Sequence, residues 1–265
     1  LNFNSNVNVL KGGIFQGNSQ PVVLGDFTNG LRNAIRSMEV SGNYLYVVTY
    51  NDDPTEAAFV VYDISNPSSP QRIIDSSILL PGAMGGAGKG IEVQGNYAYV
   101  TFSGSLDALR IIDISKPKFP RIISGEGLNV FNPGNTGDAL TLDKNYVYLV
   151  SNLGELSIVD VSDPINPKLV KIFDTGIESL WSVKVYKNYV FVGGRPNTGN
   201  NPDIKIIDVS DKENPVVVDQ YNLYDDNNWG VWTFDIVGNY LYVAAGGGFT
   251  SSETANRFFI FNIND

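Results

Sequence analysis

Arg36, Lys89, Asp138, Trp181 and Trp232 each stand two positions before an apolar residue (Met38, Ile91, Leu140, Val183, Phe234) that opens a recurring phrase of the chain. If the phrases are equivalent in space, these five side chains ring one mouth. A packed, interchangeable position would repeat one apolar type. Two cations, one carboxylate and two indoles read instead as a ligand-binding pocket. Indole faces stack on a sugar or aromatic ring, and Arg36 and Lys89 suit an anionic substituent, so an acidic glycan or small anionic ligand is the expected occupant. Asp138 is the only carboxylate of the ring. It would be catalytic only in a carboxylate-dependent glycoside hydrolase or lactonase-like enzyme, with a second acid such as Glu178, Asp226 or Asp53 brought in from a loop.

Composition narrows the chemistry further. The 265 residues include no cysteine and no histidine. Disulfides, thiolate nucleophiles, zinc ribbons, Ser-His-Asp triads and imidazole metal sites are thereby excluded. A formal charge of −10 and a pI near 4.5 argue against nucleic acid and anionic membrane as partners, since both require a basic face. No apolar stretch reaches the roughly 18 to 20 residues of a membrane-crossing helix. Carboxylate-rich runs at 51–54 (NDDP) and 225–228 (DDNN) make Ca2+ a second candidate ligand, although neither has the spacing of an EF-hand loop. No cofactor is otherwise expected. The opening LNFNSNVNVL has no basic region or leader and reads as a mature or trimmed segment.

The elements that must position the ring come from two repeated phrases. The first is MEVSGNYLYVV (38–48), IEVQGNYAYVT (91–101), LTLDKNYVYLV (140–150), VKVYKNYVFVG (183–193) and FDIVGNYLYVA (234–244). Its alternation marks two strands, and pairs such as Gly95-Asn96 mark the tight hairpin between them, with both residues tolerant of positive φ. The second phrase is FVVYDISNPSSPQRII (59–74), LRIIDISKPKFPRIIS (109–124), ELSIVDVSDPINPKLV (155–170) and IKIIDVSDKENPVVVD (204–219). Here an apolar strand ends in Asp63, Asp113, Asp160 or Asp208, and a corner that is proline-rich in most copies stops ladder pairing before a fourth strand begins. The aspartates are expected to accept backbone hydrogen bonds in the corner. The Tyr pairs 44/46, 97/99, 146/148 and 240/242 are expected to pack between units.

Five units of four antiparallel strands predict an all-β, five-bladed β-propeller. The phrases LSIVDVSDPINP, LRIIDISKPKFP and IKIIDVSDKENP resemble the LVIVD repeat, over roughly residues 31–265. That resemblance implies a β-propeller of the kind found mostly in secreted or cell-surface proteins of bacteria and archaea, and no shared activity. The fifth unit stops after its third strand, RFFIFNIND (257–265), while SQPVVLGDFTNG (19–30) matches the fourth-strand phrase NPVVVDQYNLY (214–224). An N-terminal strand is therefore expected to close the last blade and remove a free sheet edge. The expected blades of the single domain, 1–265, span about 31–80, 81–130, 131–178, 179–225 and 226–265 plus 19–30.

Function is expected where blades differ. Gly/Asn-rich insertions at 49–57, 79–90, 129–138, 193–203, 224–230 and 245–256 should share the face that carries the ring, opposite the short hairpins. The expected protein is a monomeric, extracellular or cell-surface binding module with a pocket at the propeller mouth. The hydrolase or lactonase-like enzyme is one alternative. A protein-protein interaction or adhesion scaffold, with a protein partner on a large exposed apolar patch, is the other.

Overall fold

The computed structural model describes residues 34–50, 58–73, 78–79, 88–102, 108–125, 128, 130, 137–195, 202–223, 229–247 and 257–264. These form a five-bladed β-propeller of antiparallel sheets. Blade 1 comprises β1 (Ala34–Ser41), β2 (Tyr44–Tyr50), β3 (Ala58–Asp63) and an outer edge in two pieces, β4 (Gln71–Arg72) and β5 (Ile78–Leu79), both paired with β3. Blade 2 comprises β6 (Gly88–Gln94), β7 (Tyr97–Phe102), β8 (Leu109–Asp113) and β9 (Arg121–Ser124). Blade 3 runs through β10 (Gly137–Asp143), β11 (Tyr146–Ser151), β12 (Glu155–Asp160) and β13 (Lys168–Asp174), and blade 4 through β14 (Ser179–Tyr186), β15 (Tyr189–Arg195), β16 (Ile204–Asp208) and β17 (Val216–Tyr221). Blade 5 has three described strands, β18 (Trp229–Val237), β19 (Tyr240–Gly247) and β20 (Arg257–Asn262). The innermost strands pack in succession, β1 on β6, β6 on β10, β10 on β14 and β14 on β18.

Side-chain alternation turns each sheet into a two-faced wedge, so the core is a set of seams between blades. At the seam of blades 2 and 3, Tyr99, Leu109 and Ile111 of one blade bury against Leu140, Val147, Leu149 and Val159 of the next. Tyr46 and Tyr148 occupy the position of Tyr99 at the seams of blades 1 with 2 and 3 with 4. Burial there pushes the phenols of Tyr46 and Tyr99 up to about 12. The inter-blade packing expected of the tyrosines is thus present for these three, and Tyr44, Tyr97 and Tyr146 pack partly buried against the same clusters. Tyr240 differs, being 48% exposed.

The corners have the expected chemistry. The carboxylates of Asp63, Asp113, Asp160 and Asp208 accept the backbone N–H two residues on, at 2.8–2.9 Å. Asn262 makes the equivalent bond to the N–H of Asn264 at 3.0 Å. The side chain and backbone N–H of Ser115 hold Asp113, and the backbone N–H and side chain of Ser65, Ser162 and Ser210 hold Asp63, Asp160 and Asp208, below the usual aspartate range. The next residue of each corner donates its N–H to the hairpin Asn carbonyl of the same blade, as in Ile114 to Asn96 and Val161 to Asn145, at 2.8 and 2.7 Å. Of the two hairpin residues, both tolerant of positive φ, the first adopts it: Gly42, Gly95 and Gly238 at 58–59°, and Lys144 and Lys187 at 52° and 55°.

The expected closing strand, 19–30, lies outside the described residues, as do residues 1–18.

Candidate functional site

Each innermost strand carries one irregularity, at the same place in every blade. In blade 1 the ladder steps from Ile35–Thr49 to Ser37–Val48 and passes over Arg36. In blade 2 it passes over Lys89, between Gly88–Phe102 and Gly90–Thr101. Asp138, Trp181 and Trp232 are skipped in the same way in blades 3, 4 and 5. The five residues singled out in the sequence are therefore the five extra residues of five β-bulges. A bulge bends its strand and re-aims one side chain out of the alternation that would otherwise send it into a seam.

The residue immediately after each bulge is small: Ser37, Gly90, Ala139, Ser182 and Thr233. Neighbouring innermost strands approach closely there. A Cβ added to Gly90 would lie 3.3 Å from the backbone nitrogen of Leu140. Ser182 accepts the N–H of Phe234 from the next blade at 3.0 Å. Small residues thus let the strands converge while the bulged residues project.

The bulged side chains meet in two sets. Lys89 Nζ donates to Asp138 Oδ1 at 2.6 Å across the boundary of blades 2 and 3. Burial raises the pKa of Asp138, and the charges of Lys89 and Arg36 only partly oppose that rise. Arg36 is therefore close enough to Asp138 to act on it electrostatically. Trp181 and Trp232 form the second set, stacked with ring centroids 4.7 Å apart and planes inclined by 26°. Trp181 Nε1 donates to Ser179 Oγ at 2.9 Å, and Trp232 Nε1 donates to the Gly246 carbonyl at 3.1 Å. The two indoles face each other, so no ring can enter between them, and the open surface is that of Trp232, 48% exposed. Because β10 packs on β14, the strand bearing Asp138 lies beside the strand bearing Trp181.

Residues next to the indoles add charge. Arg195 Nη2 lies 3.8 Å from Glu178 Oε2, both about half exposed, where the first residue of β14, Ser179, pairs with Arg195. Glu178 is legible in the sequence as a loop acid. Arg195 is not, because the stretch GGRPNTG reads as an insertion, and only the ladder shows that it ends β15. Asp53, Asp226 and the carboxylate runs at 51–54 and 225–228 lie outside the described residues. Among the described residues, no group of three or more Asp or Glu is placed to hold a metal ion. No helix among them is long and apolar enough to cross a membrane.

The fold recurs in proteins of remote sequence. A Lactobacillus plantarum protein of solved structure superposes with a TM-score of 0.63 at 13% identity, over 80% of this chain and 64% of its own. A Bacteroides uniformis protein described as a candidate 6-phosphogluconolactonase superposes with a TM-score of 0.62 at 14% identity, over 85% of this chain and 69% of its own. The computationally designed protein Ika8 gives 0.51 at 13% identity, over 89% and 73%. At such identities the likeness concerns the fold alone. No curated protein matches the sequence. The family model described as the LVIVD repeat matches five times, at 34–74, 85–124, 133–175, 179–223 and 231–250, one match to each blade, and the chain belongs to that family.

Proposed function

We propose that the protein is a binding module whose ligand is a ring-bearing anion, a sugar acid or an aromatic carboxylate, held at the mouth where the five bulges project. The ring lies on the open face of Trp232, and the anionic group is directed toward Arg36 and the Lys89–Asp138 pair. One observation carries this reading: side chains of four different types, Arg, Lys, Asp and Trp, occupy the same bulge of five equivalent strands. A structural requirement of the strand would select one residue type at every bulge, as it selects small residues immediately after it. The two cations of the set, Arg36 and Lys89, suit an anion as well. Placement outside the cell or on its surface belongs to the same proposal, supported by the acidic composition and the lack of cysteine. Isothermal titration with glucuronate, galacturonate and benzoate derivatives, on the native chain and on Trp232→Ala, tests the reading. Saturable binding weakened in the variant supports it.

One observation favours a second reading. A partly buried carboxyl with a raised pKa, 2.6 Å from an ammonium, has the properties of a general acid in hydrolysis. Lactone or glycoside turnover abolished by Asp138→Asn, with binding retained, would favour this enzyme over the binding module.

A further inference from the structure

Three positions after each bulge the innermost strand carries a second polar side chain: Glu39, Glu92, Thr141, Lys184 and Asp235 in blades 1 to 5. Both neighbours in the strand are apolar in every blade, as Ile91 and Val93 flank Glu92 and as Val183 and Val185 flank Lys184. Alternation separates the two kinds, so the polar residues share one face of their strands. Four of them, Glu92, Thr141, Lys184 and Asp235, line a single cavity of about 500 Å3 that spans blades 2 to 5 at their hairpin ends, with Tyr186 and Asn239 at its rim. Tyr186 Oη donates to Asn239 Oδ1 at 3.1 Å and ties the ends of blades 4 and 5 together there. The volume suits a small molecule.

The polar groups around this cavity are ordered by sign. Because β6, β10, β14 and β18 pack in succession, the Thr141 hydroxyl and the Lys184 ammonium stand on adjacent strands, with an acid to either side, Glu92 on β6 and Asp235 on β18. They do not satisfy one another. Lys184 makes no ion pair or hydrogen bond among the described residues. Asp235 accepts the N–H of Ile236 at 3.0 Å and pairs with no cation among them. Thr141 is only 4% exposed, and its hydroxyl has no hydrogen-bond partner among the described residues, although it borders the cavity. A buried hydroxyl without a partner is costly, and a ligand in the cavity supplies one. A bare metal ion does not fit the arrangement, since no three acids among the described residues converge and Lys184 would repel a cation. Lys184 beside Thr141 suits a carboxylate, and the flanking acids suit an ammonium.

We propose that the hairpin end of the innermost strands is a second binding site, for a small zwitterion bearing one ammonium and one carboxylate, an amino acid or a compound of that class. The carboxylate lies between Lys184 Nζ and the Thr141 hydroxyl, and the ammonium faces Glu92 and Asp235. The site is three residues along each strand from the bulges, roughly 10 Å, and it does not rest on the reading of the mouth.

Calorimetric titration of the native chain with serine, glutamine and γ-aminobutyrate, against butyrate and butylamine as singly charged controls, tests the proposal. At least one zwitterion should bind saturably, and each control should bind about tenfold or more weakly, because each forfeits one charged contact. Lys184→Met and Asp235→Asn should each weaken the zwitterion about tenfold or more, and Lys184→Arg should restore part of the loss, with urea unfolding confirming that each variant is folded. Butylamine bound as tightly as the zwitterion would reduce the site to a cation patch. Absence of saturable binding, or zwitterion binding unchanged in both Lys184→Met and Asp235→Asn, would leave the cavity to solvent. Each of these results overturns the proposal. Glucuronate titration should be the same in Lys184→Met as in the native chain, so failure at this site and failure at the bulged mouth are read separately.

Discussion

Asp138 Oδ1 and Lys89 Nζ lie 2.6 Å apart, contributed by adjacent blades, and burial still holds the Asp138 carboxyl above the ordinary aspartate range. The pair is a compromise between two costs. The bulges bring both groups out of the alternating ladder at the boundary of blades 2 and 3, where each compensates the other.

Removing the cation should therefore expose the cost of the anion. Lys89→Met is expected to destabilise the fold by about 1 to 3 kcal/mol, less than for a fully buried pair because Lys89 retains part of its solvent. The direction of the shift sets the sign of the pH dependence. A carboxyl whose folded pKa is raised binds its proton more tightly in the folded chain, so its contribution to stability falls as pH rises toward and through that value. Lys89→Met should steepen this fall, and urea unfolding across pH 4 to 8 measures it. Equal loss at all pH values would show that Asp138 does not depend on Lys89.

The corner aspartates carry the opposite sign. Their carboxyls are lowered by accepted backbone hydrogen bonds, as Asp160 accepts from Ser162 at 2.8 Å. Such groups contribute stability above the ordinary aspartate pKa and lose it as pH falls through the lowered folded value. Asp160→Ala should cost about 1 kcal/mol at neutral pH and flatten the acid side of the stability curve, without changing ligand binding. Loss of binding at undiminished stability would give the corner a role in the site.

Lys144 and Lys187 hold hairpin positions at positive φ that glycine holds in the other three blades. A side chain there is strained, while glycine adds freedom to the unfolded chain, and the difference is small. Lys144→Gly is expected to raise stability by about 0.5 to 1 kcal/mol in thermal melts. Lys187→Gly should gain less, because its ammonium lies 4.9 Å from the Tyr186 ring and that contact would go. A drop in melting temperature for Lys144→Gly would show that the turn is not strained.

Much of the fold is readable from residues alone because each phrase restates it. Alternation before Gly95-Asn96 marks two strands, and the Asp-to-proline corner marks where pairing stops. The position of the ring is legible from its constant offset to Met38, Ile91, Leu140, Val183 and Phe234. The bulges are not, because an extra residue in a ladder leaves no trace in a single strand and shows only against its partner. Side-chain direction across blades is equally hidden, so the mutual stacking of Trp181 and Trp232 and the neutralising contact of Lys89 with Asp138 emerge only in three dimensions. Which hairpin residue turns left-handed is hidden for a local reason: Asn tolerates that region as Gly does, and composition cannot say which of Gly95 and Asn96 enters it.

The central claim is that the five bulged side chains form one site for a ring-bearing anion. Titration of glucuronate and of aromatic carboxylates into the native chain and into Trp232→Ala, at low and at physiological salt, tests it most directly. Saturable binding should weaken by about 1 to 3 kcal/mol in the variant, the range of a lost stacking contact, and should weaken further with salt through Arg36. Binding that is absent across the panel, or unchanged in Trp232→Ala with the fold intact, would contradict the claim.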